Sequence, residues 1–150
     1  MATRNEFKTA KEFNSFIEQN CPDLSKLYVK EVYNTGDGMF PEAPLFLYSG
    51  YSIIMAYLSK EGLSLKLYDK DFFIQHIRCG MFREEPDSDE IYYISFPKAK
   101  LIGSFVLEIE TEENSEGILN GVVLNFENGQ KLHLELSQKV PNTICSYITG

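Results

Sequence analysis

Tryptophan is absent from the 150 residues, and histidine and cysteine are scarce, with two His and three Cys. Basic residues are outnumbered too: 14 Lys and Arg face 22 Asp and Glu, for a net charge of -8. Each shortage closes off a class of function. Nonspecific nucleic-acid binding draws its affinity from Lys and Arg neutralising phosphates, so binding to DNA or RNA is not expected here. Cys21, Cys79 and Cys145 form no CxxC pair and read as reduced thiols, not as a disulfide framework. The most apolar stretch, Leu45–Leu58, is broken by Ser49, Gly50 and Ser52 and is too short to cross a bilayer as a helix. The N-terminal segment shows no apolar core behind a basic start, so no secretory leader is expected. The expectation is a cytoplasmic protein without membrane association.

Catalytic and cofactor signatures are missing in the same way. Neither GxxxxGK[ST] nor GxGxxG occurs, and Gly36-Asp37-Gly38 reads as a turn. Gly50-Tyr51-Ser52-Ile53-Ile54 begins like a nucleophile elbow, but Ile54 stands where the second Gly is required. His76 and Cys79 lie three apart, which on a strand places them on opposite faces. Only a turn after Ile77 would join them, and no third group is at hand to orient the base. Zinc needs four ligands, and His76, Cys79, His133 and Cys145 share no further paired spacing. Asp87 and Asp89 start like a calcium loop, yet no Gly or distal Glu follows in register. Paired carboxylates acting on sugars would need stacking rings around a cleft, and there is no Trp. No catalytic residue, metal or cofactor is expected.

What is present describes a strand-rich globular chain. Apolar residues at 43% and charged residues at 24% are ordinary values, and no linker divides residues 1–150, so one domain is expected. Thr9 and Glu12 have capping-box spacing, Ala10, Phe13 and Ile17 with Phe16 form an apolar stripe, and Pro22 follows. That pattern predicts a helix over about residues 9–20. Leu27–Tyr33 alternates as a strand. Leu45–Leu58 reads as one long strand bent at Gly50, with a helix over Tyr51–Lys60 as the alternative. Leu63, Leu65 and Leu67 against Ser64, Lys66 and Tyr68 predict a half-buried strand, and Phe72–Ile77 its return. Ile91–Phe96 and Leu101–Ile109 predict strands around Pro97–Lys100, and Gly121–Phe126 with Lys131–Leu136 predict a hairpin closed by Asn128-Gly129 with both residues at positive φ. Ile144, Tyr147 and Ile148 after Pro141 predict a short closing helix. The fold class is α+β: an N-terminal helix, about seven mostly antiparallel strands in a curved sheet or half barrel, and a short C-terminal helix.

The closing segment, Gly121–Leu136 followed by Pro141–Ile148, resembles the end of pleckstrin-homology or GRAM-like domains. The resemblance implies a half barrel able to hold a small ligand or lipid. The clustered bases with which that family grips phosphoinositides are missing, since Lys60, Lys66 and Lys70 are interspersed with Glu61, Asp69 and Asp71.

Charge placement is the most informative feature. Residues 76–150 hold twelve acids against six bases, whereas residues 1–75 are near balance. The acids concentrate in two runs: Glu84, Glu85, Asp87, Asp89 and Glu90, then Glu108, Glu110, Glu112, Glu113 and Glu116. If Ile91–Ile109 is a hairpin, both runs border loops at one rim, with Tyr92 or Tyr93 supplying contact area. Such a rim would attract a basic protein partner and speed its encounter. By size and charge the chain is similar to bacterial immunity proteins, which neutralise nuclease toxins by covering a basic active site. The expected function is therefore a non-catalytic interaction domain, with a ligand- or lipid-binding module as the alternative.

Overall fold

Thr9 starts the helix. Its Oγ1 accepts from the Glu12 backbone N–H at 3.2 Å, and the Glu12 carboxylate accepts from Lys8 N at 3.0 Å, so two otherwise unpaired donors at the N-terminus are satisfied. The computed structural model describes residues 2–35, 43–49, 51–59, 61–68, 77–78, 81–82, 92–94, 99–136 and 144–150. Helix α1 (Ala10–Asn20) buries Phe13 and Ile17, the spacing expected of one inward stripe. All else that is regular among the described residues is strand, apart from 3₁₀ turns at Leu24–Lys26 and Ala99–Leu101.

One sheet has eight strands. They are β1 (Ala2–Phe7), β2 (Leu27–Thr35), β3 (Ala43–Tyr48), β4 (Tyr51–Ser59), β5 (Gly62–Tyr68), β6 (Ile77–Arg78), β7 (Met81–Phe82) and β8 (Tyr92–Ile94). Their order is β1-β5-β4-β3-β2-β8-β7-β6. A second sheet has four: β9 (Val106–Glu113), β10 (Leu119–Phe126), β11 (Lys131–Leu136) and β12 (Ile144–Thr149), in the order β12-β11-β10-β9. All the strand pairings described are antiparallel. The α+β class holds, with twelve strands in two sheets among the described residues where about seven in one sheet were expected.

A single apolar cluster joins the layers. Phe13 and Ile17 from α1 meet Val29, Phe46, Ile53, Leu63 and Leu65 of the large sheet. Val106, Val122, Leu124, Phe126, Leu132 and Leu134 of the small sheet complete it. Phe7 packs edge-on to Phe13, with ring centroids 5.7 Å apart. The small sheet and the helix thus cover the same face of the large one.

Three expectations need correction. Leu45–Leu58 is a hairpin, not a bent strand: Tyr48 pairs with Tyr51 across a tight turn in which Ser49 takes φ 49°. Tyr51–Ser59 is strand, as expected, and the alternative helix does not form. β5 is covered on both sides, so Ser64, Lys66 and Tyr68 are buried along with Leu63 and Leu65. Ile144–Thr149 is strand β12, paired along β11, where a helix was expected. Its Ile and Thr content suits a pleated surface, and the pairing energy of a ready β11 edge outweighs a helical spacing only two turns long. Of the expected strand Phe72–Ile77, residues 72–76 fall outside the described residues, and Ile77 starts β6, paired with β7. The Asn128-Gly129 hairpin forms, but only Gly129 is at positive φ (86°). Gly129 N donates to Phe126 O at 3.1 Å and Phe126 N to Gln130 O at 2.9 Å, a three-residue turn closed by a bulge.

Two substitutions test this frame. Thr9→Ala removes the cap of α1 and is expected to cost about 1 kcal/mol in chemical denaturation. Gly62 sits at φ 115°, and a Cβ there would lie 2.0 Å from the Phe7 carbonyl oxygen. Gly62→Ala is therefore expected to lower stability by about 2 kcal/mol or more, read from the same denaturation curves.

Candidate interaction surface

The registers of the small sheet fix which side chains share its outer face. Opposed residues in an antiparallel pair point the same way, so each cross-strand row can be read across the strands. Thr111–Val122–Leu134 and Ile109–Leu124–Leu132–Ile148 form the core side. The other side has three rows. Glu112–Gly121–Glu135 is the first, Glu110–Val123–His133–Tyr147 the second and Glu108–Asn125–Lys131–Thr149 the third.

Three glutamates therefore stand in a column on β9, the last strand of its sheet, all exposed. A fourth, Glu135, lies two strands inward, and Lys131 is the one Lys or Arg in these rows. Gly121 lets Glu112 lean over β10: a Cβ at Gly121 would be 3.3 Å from Glu112 Oε2. Asn125 Nδ2 donates to Glu110 Oε2 at 3.3 Å, holding that carboxylate over the face.

The other half of the face is aromatic and polar. His133 and Tyr147 stack with centroids 4.5 Å apart and planes 5° from parallel. Tyr147 OH donates to Glu135 Oε1 at 2.7 Å, and His133 Nε2 lies 2.8 Å from Thr149 Oγ1. Tyr147 remains 39% exposed although both its ring and its hydroxyl are held. A rigid, half-exposed tyrosine beside carboxylates offers contact area at low entropic cost.

The acidic runs are not arranged as the sequence suggested. Glu84, Glu85, Asp87, Asp89 and Glu90 lie outside the described residues. The Ile91–Ile109 hairpin does not form: β8 pairs with β2 and β7 in the large sheet, whereas β9 pairs with β10 in the small one. Between them residues 99–105 run beside β2, with Val29 N donating to Ser104 O at 3.1 Å and Gly103 N to Val29 O at 2.8 Å. That segment carries the chain from one sheet to the other and separates Tyr92 and Tyr93 from β9. Glu110 and Glu112 are strand residues on the outer face, not loop residues. Glu113 serves the fold instead, since its Oε2 accepts from Ala10 N at 3.3 Å at the start of α1. Glu116 is in the β9–β10 turn, where its N–H is held by Asn114 Oδ1 at 2.8 Å.

His133 faces outward, as its alternation predicted, but its stack with Tyr147 was hidden by the helical reading of residues 144–148. Among the described residues no group of three or more His, Cys, Asp or Glu is placed to hold a metal. His76 and Cys79 lie outside those residues. Among the described residues no helix is long and apolar enough to cross a membrane. No family model, no curated protein and no solved structure matches this chain.

Cys21 is a packed thiol, 1% exposed at the end of α1. Burial pushes its pKa from 9.0 up to about 11. The folded protein keeps this proton to about pH 11 while the unfolded chain releases it from 9.0, so this contribution to stability is full below pH 9 and is lost as pH rises towards 11. In denaturant melts across that window, Cys21→Ala is expected to lose stability with pH less steeply than the parent.

Proposed function

We propose that this chain is a non-catalytic binding protein for a basic protein surface, which docks on the outer face of the small sheet. The carrying observation is the column Glu108, Glu110, Glu112, extended inward by Glu135 and backed by a fixed Tyr147. Four carboxylates against one lysine give this face a field that draws a cationic partner and orients it before contact. Tyr147 then supplies a pre-organised anchor, the type of side chain enriched where interfaces gain most of their affinity.

A chain of this size and acidity suits an immunity protein, whose partner is a nuclease toxin with a basic active site. Glu84, Glu85, Asp87, Asp89 and Glu90, with the side chains of Tyr92 and Tyr93, enter this reading on sequence alone. A ligand-binding module of pleckstrin-like type is the second reading, and one observation favours it: a cavity beside α1, taken up below.

Affinity capture followed by rapid-mixing kinetics tests the leading reading. The expected partner is basic, and its association rate falls steeply as salt rises. Glu108→Lys, Glu110→Lys and Glu112→Lys together are expected to weaken binding about tenfold or more while leaving the melting temperature near that of the parent. A neutral or acidic partner, or one that binds the triple variant equally well, overturns the proposal.

A further inference from the structure

We propose that the cavity at the C-terminal end of α1 binds a compact organic cation, an alkylammonium group carrying apolar bulk. The cavity measures about 300 Å³, within the range of small-molecule sites. It lies on the helix-covered side of the large sheet, so it is independent of the acidic face.

Its walls are aromatic. Tyr48 and Tyr51 are direct cross-strand partners at the β3–β4 turn, so their rings stand on the same face, and both line the cavity. Ile53 and Leu67, also a cross-strand pair, form its apolar floor. Tyrosine faces carry negative quadrupole density, which attracts a cation within about 6 Å of the ring centre.

The remaining wall is the end of the helix. Gln19, Asn20 and Cys21 line the cavity where α1 stops, and a helix C-terminus carries roughly half a negative charge. No basic residue lies in the last turn of α1 to offset it. Asn20 Nδ2 covers the Phe16 carbonyl at 2.9 Å and Cys21 N covers that of Ile17 at 2.7 Å, fixing the helix end in place.

A formal negative charge adjoins this arrangement. Asp23 N donates to the Tyr48 hydroxyl at 3.1 Å, which seats Asp23 next to the cavity wall. Its carboxylate accepts from Ser25 Oγ at 2.6 Å and from Ser25 N at 3.1 Å, and these bonds, with the Lys26 charge adding to them, hold it below the usual carboxylate range. Among the described residues no Lys, Arg or His lines the cavity. Two tyrosine rings and a helix C-terminus at the cavity wall favour the same sign of charge. An anion would meet repulsion there, and a neutral ligand would gain only the apolar floor.

Titration with choline, followed by backbone amide NMR shifts, tests the proposal against 3,3-dimethylbutan-1-ol, in which carbon replaces the charged nitrogen. Choline is expected to give saturable shifts at residues 19–21 and 48–53, with the neutral alcohol about tenfold weaker. Tyr51 is 49% exposed, so Tyr51→Ala keeps the fold and is expected to weaken choline about tenfold. Nα-acetyl-lysine methylamide separates the two sources of this chemistry. Competition with choline assigns a partner's lysine to the cavity, and no response assigns a free small cation. Equal binding of the alcohol, unchanged binding to the Tyr51→Ala protein, or shifts confined to the acidic face would each overturn the proposal.

Discussion

The two sheets are held in one relation by the corner Phe7–Ala10, where the chain leaves β1 and enters α1. Three remote residues, Gly62, Glu113 and Leu119, converge there. The β4–β5 turn presses against it at Gly62, where no side chain fits against the Phe7 carbonyl. The small sheet reaches it twice, through Leu119 N donating to Lys8 O at 2.8 Å and through Glu113 accepting from Ala10 N at 3.3 Å. Glu12 and Thr9 close it from the helix side. Each bond is worth only about 1 kcal/mol alone, but together they fix where the β9–β10 hairpin meets the helix. Once that is set, the core residues of β10 and β11 face Phe46, Ile53 and Leu65, and the opposite residues have nowhere to point but outward. The acidic face follows from the corner, through the period of two along a strand.

The same constraint separates the two candidate surfaces. One lies on the far side of the small sheet; the other opens between the end of α1 and the β3–β4 turn. Both favour positive charge, by different means. The sheet face uses formal carboxylates in water, where interactions are long in reach and screened by salt. The cavity uses ring faces and a helix end at short range, where screening matters less and shape selects the ligand. A partner surface suits the first and a compact cation the second.

Local signals are legible in the sequence, and distant ones are not. The helix over 10–20 was legible because Thr9, Glu12, Phe13 and Ile17 each point the same way, from cap to buried stripe. The 121–136 hairpin was legible because alternation and the Asn128-Gly129 turn agree. Ile144, Tyr147 and Ile148 misled because six residues cannot distinguish a period of 3.6 from a strand whose inward residue is Ile148. That misreading concealed the His133–Tyr147 stack and with it half of the candidate face. The supposed hairpin over 91–109 failed for a topological reason. Adjacent strands usually pair, but the 99–105 segment bonds to β2 and moves the chain to the other sheet before β9 begins. No composition or spacing near Glu84 or Glu108 carries that information.

Edge strands are commonly charged to prevent pairing with other chains, and β9 is an edge. Edge protection accounts for charge at Glu108, Glu110 and Glu112, since any sign there would serve. It does not account for Glu135, which sits on β11 between two paired strands, nor for Tyr147 being held by both its ring and its hydroxyl. Interior strands need no charge to block pairing, and a side chain kept only for solubility needs no fixed orientation. Nor does protection require Gly121, whose missing side chain lets Glu112 extend over β10 toward the Glu135 row. The carboxylates thus continue from the edge into the middle of the face, on a rigid tyrosine support. The proposed docking of a basic partner calls for both of these features, and edge protection calls for neither.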